Sequence, residues 1–189
     1  MNLNLRLLSA LAVCLLSLSV FPAGAQRFTV GVDAVDLATL GTVDVEASMS
    51  VARRLTVHAG AEFNPWTFYE GTPEKQFQSK SSSVWGSIRY WPWHVYSGWW
   101  YGAEGKAQLY NVGGVFSREK EEGTAYGVGV YAGYGVMLNA HFNLDVGVGA
   151  WGGYKWYRSY TCPQCGMKTD EGSKPFILPD AKVVLQYIF

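Results

Sequence analysis

Apolar and polar residues alternate with period two along most of this chain, most clearly at its end. From Ala181 to Phe189, Ala181, Val183, Leu185, Tyr187 and Phe189 form one apolar face, and Lys182 and Gln186 fall on the other. Strand side chains point alternately to opposite faces, so this stretch reads as a strand. The same alternation predicts strands over 27–35, 42–51, 55–64, 84–92, 98–110, 124–138 and 142–157. Their apolar faces carry residues such as Val30, Val45, Val57, Ile88, Tyr101, Val130 and Val148. The opposite faces carry Asp33, Asp44, Glu46, His58, Glu62, Arg89, Glu104, Lys106, Asp145 and Lys155, with Lys182 from the last strand, and many glycines.

The connections alternate in length. Those at 52–54, 93–97 and 139–141 are tight, and those at 65–83, 111–123 and 158–179 are long. Transmembrane barrels have this asymmetry, with short periplasmic turns and longer outer loops. A soluble sandwich or lipocalin-like barrel would bury the apolar faces in a core. Two features favour the inverse. Aromatics sit near the strand ends at two levels, Trp99, Tyr101, Phe142 and Tyr187 at one and Phe63, Tyr126, Tyr154 and Trp156 at the other, like interfacial girdles. Glycines beside charges suit a cramped interior. The expected fold is therefore all-β, an eight-stranded antiparallel up-and-down transmembrane β-barrel with its charges inside. A terminal aromatic strand looks like an outer-membrane assembly signal, with Tyr187 and Phe189 the residues presented to the barrel-assembly machinery.

The first residues change the picture of location. Arg6 precedes a mostly apolar run from Leu7 to Val20, and Ala23-Gly24-Ala25 is a small-x-small cleavage site. Residues 1–25 thus read as a signal peptide and 26–189 as one barrel domain. The run is shorter than the roughly 20 residues of a spanning helix. Cys14 lies inside it, behind the bulky Val13, which argues against a lipoprotein. The expected location is the outer membrane, with its lipid as the surrounding partner. The 15 basic and 15 acidic residues cancel, and no basic stripe points to nucleic acid. With 22 Gly, 12 Tyr and 8 Trp, the composition suits a tight closed sheet.

A series of short motifs runs through nearly the whole mature chain: Phe63-Asn64-Pro65-Trp66, Arg89-Tyr90-Trp91, Tyr110-Asn111-Val112-Gly113-Gly114, Gly133-Tyr134, Asn143-Leu144-Asp145 with Gly147-x-Gly149, Cys162-Pro163-Gln164-Cys165-Gly166 and Tyr187-Ile188-Phe189. In these the chain resembles an uncharacterised family of small outer-membrane β-barrels of Bacteroidota, a domain of unknown function. Phe142-Asn143-Leu144-Asp145 departs conservatively from that pattern, which has Trp and Glu at the first and last places. The resemblance implies fold and location and brings no activity.

The inward charges could form an acid/base site or an ion path. A small barrel has its interior filled by side chains, so the simpler expectation is a structural network in which each charge is paired. An outer-membrane lipid-modifying enzyme would need a nucleophile and base near the outer rim. The histidines of the mature chain are His58, in the interior, and His94 and His141, on tight turns, so no catalytic residue is assigned. Glu70, Glu74, Glu119, Glu121 and Glu122 read as solvated loop carboxylates. A small passive pore is the third reading, opposed by the crowded interior. What remains is a non-enzymatic surface scaffold or binding protein that contacts a surface protein through the loops 65–83 and 111–123. No cofactor or metal is expected. Cys162 and Cys165 leave three states open: a local disulfide, free thiols, or half of a zinc knuckle. Export to an oxidising compartment favours the disulfide, and a monomer lacks two ligands for structural zinc.

Overall fold

The computed structural model describes residues 28–39, 41–68, 77–113, 120–161 and 168–189. The expected signal peptide and the Cys162–Cys165 pair lie outside the described residues. Within them, nine strands form one antiparallel up-and-down sheet. They are β1 (Phe28–Asp33), β2 (Val43–Ala52), β3 (Leu55–Asn64), β4 (Thr67–Phe68), β5 (Phe77–Tyr90), β6 (Gly98–Gly113), β7 (Lys120–Met137), β8 (Phe142–Tyr160) and β9 (Lys168–Ile188). One helical turn, α1 (Ala34–Ala38), separates β1 from β2. Among the described residues no helix is long and apolar enough to cross a membrane.

The pairings return on themselves. β9 lies between β8 and β1, and β3 pairs β5, which makes a ring and leaves the two-residue β4 attached to β5. Gly31 pairs Gln186 on one side. Followed the other way, through Glu46, Gly60, Trp85, Lys106, Gly127 and Gly153, the register reaches β9 at Phe176. Offset along β9 between Phe176 and Gln186 is the stagger that tilted strands need to close a ring. The last residues complete it: the Ile188 amide donates to the His141 carbonyl (2.7 Å), and the Phe189 amide to that of Phe28 (3.0 Å).

Two expectations about the strands change. β4 adds a strand in a stretch read as loop, and β5 to β9 run well past their expected ends, into 77–83, 111–113, 120–123, 158–160 and 168–180. In these extensions both faces are polar or mixed, so the apolar alternation that marks a strand fades there.

The sidedness is inverted relative to a soluble sheet. Val43, Val45, Val84, Ile88, Val128, Val130 and Val148 are exposed on the outside of the ring, with Val128 at 74%. Asp33, Asp44, Glu46, His58, Glu62, Arg89, Glu104, Asp145 and Lys182 are buried inside it. Exposed aromatics gather at two levels, where Trp99 meets Tyr134, Tyr187 meets Phe142 and Phe189, and Tyr126 meets Trp156.

The end of the ring that carries the tight turns is plugged. Trp91, Val95, Tyr96, Trp100, Tyr131 and Ile188 form the buried apolar cluster. Tyr96 has φ 64°, a left-handed conformation uncommon for a residue with a Cβ. Its hydroxyl lies 3.1 Å from the Ser48 hydroxyl, which ties the turn to β2. Trp100 lies flat against Gly133 and Gly147, where a Cβ would come within 2.4 and 2.7 Å of the indole. No other residue leaves room there.

Candidate functional site

The interior is the place where charged residues converge. Alternation points them inward, and the stagger decides which of them meet. Arg89 on β5 reaches across to two strands: Nη2 lies 3.1 Å from Glu46 Oε2, and Nη1 lies 3.1 Å from Asp145 Oδ2. Its guanidinium also stacks over the Trp100 ring, 4.5 Å from the centroid. Glu46 takes more donors, from His58 Nδ1 (2.8 Å) and Gln186 Nε2 (3.0 Å), and Asn143 donates to Asp145 (2.9 Å). Two carboxylates and one arginine, with hydrogen bonds to both carboxylates, form the lower network.

His58 joins this network to Thr56. Glu46, His58 and Thr56 make a carboxylate–imidazole–hydroxyl chain, with 2.8 Å at each link. The arrangement has the outline of a nucleophile relay. Thr56 also accepts from the Trp91 indole (2.9 Å) and is 0% exposed. A hydroxyl capped by an indole and closed off from solvent has no room for a substrate carbonyl, so the chain works as a structural tie.

Higher in the ring are two lysine–carboxylate pairs. Lys182 Nζ lies 2.6 Å from Glu104 Oε2, over the rings of Trp85 and Tyr131. Lys106 Nζ lies 2.7 Å from Glu62 Oε1, and Ser83 donates to the other oxygen of Glu62 (2.6 Å). Asp36, Asp44 and Glu62 each bring one oxygen within 4.8 Å of the others, the spacing of a cation site. Lys106 already supplies a positive charge to Glu62 there. Asp33 takes the N-cap of α1, accepting from the Val35 amide (2.8 Å), and accepts from the Val183 amide (3.2 Å). Asp44 accepts from the Asp33 amide (3.1 Å).

Lys155 stands apart from these groups. It pairs with Glu121 near the loop end, where Tyr110 donates to the same carboxylate (2.8 Å) and Lys174 lies 3.5 Å away. Burial would raise the Glu121 carboxyl, but the hydrogen bonds from Lys155 and Tyr110 and the Lys155 and Lys174 charges outweigh it and hold it below the ordinary carboxylate range. Glu122 faces the other way. The Tyr160 hydroxyl first, then Lys120, lowers its carboxyl, while the carboxylate raises the Tyr160 phenol. Both carboxylates are therefore tied into strand pairing, where the sequence reading had them as solvated loop groups.

His94 and His141 stay on the tight turns, and neither bonds a charged group of these clusters among the hydrogen bonds described. His141 stacks on Tyr187 with ring centroids 5.6 Å apart. Tyr187 and Phe189 lie on the outer face, packed edge to face at 5.0 Å. The residues that sequence reasoning passed over are Thr56, Trp91, Tyr96 and Gln186. A tryptophan on the polar face of a predicted strand was the available signal for Trp91.

The chain belongs to the family described as "Protein of unknown function (DUF3575)", whose profile matches residues 10–189. No curated protein matches the chain, and no solved structure matches it.

Proposed function

We propose that this protein is an eight-stranded transmembrane β-barrel of a bacterial outer membrane, with β4 an appendage to β5, acting as a non-enzymatic surface scaffold or binding protein. One observation carries the reading: the ring turns its valines, isoleucines and aromatics outward and its Glu, Asp, Arg, His and Lys inward. Charged groups are buried only when paired, and a continuous apolar exterior needs an apolar solvent. Lipid is that solvent. The two levels of exposed aromatics then lie at the two interfaces. The tight turns face the periplasm, and the long strand ends with their loops face outside. Residues 1–25 direct export, and Tyr187 and Phe189 meet the assembly machinery. On this reading the family is one of small outer-membrane barrels, with a Bacteroidota origin and the Cys162-Pro163-Gln164-Cys165-Gly166 loop as part of the same proposal.

The plug of Trp91, Tyr96 and Trp100 speaks against a pore, and the enclosed Thr56 and His58 against catalysis. Binding is left to the outer rim, at the connections from β4 to β5 and from β6 to β7, with the paired strands as the rigid wall beneath them. The test is surface labelling. In a Cys162→Ser, Cys165→Ser background, Glu171→Cys should react with an impermeant maleimide on intact cells, and Arg53→Cys only after the outer membrane is opened. Equal labelling of both on intact cells would contradict the orientation.

A further inference from the structure

Toward the loop end, the outside of β7, β8 and β9 changes character row by row. Val128, Gly152 and Ile177 register side by side in the apolar belt, and Tyr126, Tyr154 and Pro175 form the next row. Beyond them stand Thr124, Trp156 and Ser173, and then Glu122, Arg158 and Glu171. These last two rows line a groove of about 690 Å³. On the membrane reading the groove lies just past the hydrocarbon, among the head groups of the outer leaflet.

The groups around the groove divide into committed and uncommitted ones. Glu122 is held by the Tyr160 hydroxyl (2.9 Å) and by Lys120 (3.3 Å), and Lys168 takes one oxygen of Glu171. Arg158 donates to no described residue, and its Nε stands 3.7 Å from Glu171, beyond hydrogen-bond range. The Thr124 and Ser173 hydroxyls likewise bond no other described residue. Trp156 is braced edge to face against Tyr126 at 6.0 Å and leaves half of its surface (51%) open. This set suits a sugar. One face of a sugar ring is C–H and lies well against the negative π face of an indole. Its hydroxyls both donate and accept, so they can use a guanidinium fork, a carboxylate and two small hydroxyls together. A phosphate would meet Glu122 and Glu171 on either side of Arg158, and like charges repel. A bare acyl chain would strand the Arg158 donors.

We propose that this groove binds the uncharged saccharide head group of an outer-leaflet glycolipid, with Trp156 under the sugar ring and Arg158 and Glu171 on its hydroxyls. The proposal rests on the membrane reading, and its test separates the two. The purified chain is reconstituted in dioleoylphosphatidylcholine vesicles that hold equal shares of two further lipids. One is digalactosyldiacylglycerol, an uncharged glycolipid, and the other is dioleoylphosphatidylglycerol, an anionic lipid without sugar. Flotation and a carbonate wash report insertion, and native mass spectrometry reports which lipid stays on the protein. The expected result is an inserted protein that keeps the galactolipid in preference to both phospholipids. Trp156→Leu and Arg158→Gln should each weaken that retention about tenfold. Trp99→Leu, at the other aromatic level, should leave it unchanged. If Trp156→Leu does not insert, Arg158→Gln decides alone. Undiminished retention in the inserted groove variants overturns this site. Insertion without preference for the galactolipid, or with preference for phosphatidylglycerol, overturns the saccharide assignment and leaves the membrane reading intact. Soluble digalactosylglycerol that binds as tightly as the galactolipid overturns the lipid as its source. A native chain that does not insert overturns both readings.

Discussion

The two ends of the ring solve the same problem, how to hold charged side chains in place, in different ways. At the tight-turn end, Arg89, Glu46, Asp145 and His58 are almost fully buried, and each is pinned by two or more partners above a floor of Trp91, Tyr96 and Trp100. At the loop end, Glu121, Lys155, Lys174 and Glu122 share similar pairings but remain partly open to solvent. A buried pair cannot lose one member without stranding the other, whereas a hydrated pair can re-form with water. The lower network is therefore expected to fix the geometry of the ring, and the upper wall to tolerate change.

The largest effect should come from the last strand, because β9 is shared by both ends and closes the ring onto β1. Replacing both Tyr187 and Phe189 by Ser should abolish accumulation in the outer membrane, measured by immunoblot of membrane fractions. Next is Arg89→Met, which leaves Glu46 and Asp145 facing each other without their cation. It should cost about 3–5 kcal/mol in urea unfolding of the reconstituted protein. Val148→Arg, which places a charge on the outer apolar face, should cost roughly 2–4 kcal/mol if that face meets lipid near the bilayer midplane. Lys155→Gln at the loop end should cost less than about 1 kcal/mol. Equal losses for Arg89→Met and Lys155→Gln would erase the distinction between the two ends.

The smallest effect is pH-dependent. The Glu121 and Glu122 carboxyls are held below their ordinary values in the folded wall. Their stabilising contribution is present above the unfolded carboxylate pKa and is lost as pH falls through the lower folded value. Hydrogen exchange should therefore quicken in 120–123 and 157–160 on strong acidification, while the stretch 128–134 of β7 keeps its protection. Uniform loosening of all strands would contradict this localisation.

Much of the fold was legible because outward-facing and interior positions differ sharply in chemistry wherever a wall has an apolar outside. Val43 to Val51, Val84 to Tyr90 and Val146 to Trp156 all show the period of two. Legibility ended where the contrast ended. Beyond Tyr126 and Trp156 the outer face carries Glu122 and Arg158 while the inner face carries Glu121 and Lys155, so the strands continue without their apolar signature. Pro175 and Pro179 fall in a stretch read as loop, yet they lie in β9 and point their nitrogens to the side without a strand partner among the described residues, where a missing N–H costs no ladder bond. α1 is a single turn, signalled only by Asp33 at its N-cap. The inward direction of Arg89, Glu46 and Asp145 followed from alternation. Their meeting did not, because it depends on the stagger between strands, which local pattern does not encode.

On the proposed reading, the apolar outside of the ring is solvated by the lipid of an outer membrane. The most direct test is density separation of inner and outer membranes from cells making the native chain, followed by an alkaline carbonate wash. The account predicts that the protein sediments with the outer membrane and stays there after the wash, in a form cleaved near Ala25. Recovery as a soluble protein in the periplasm or cytosol would contradict it.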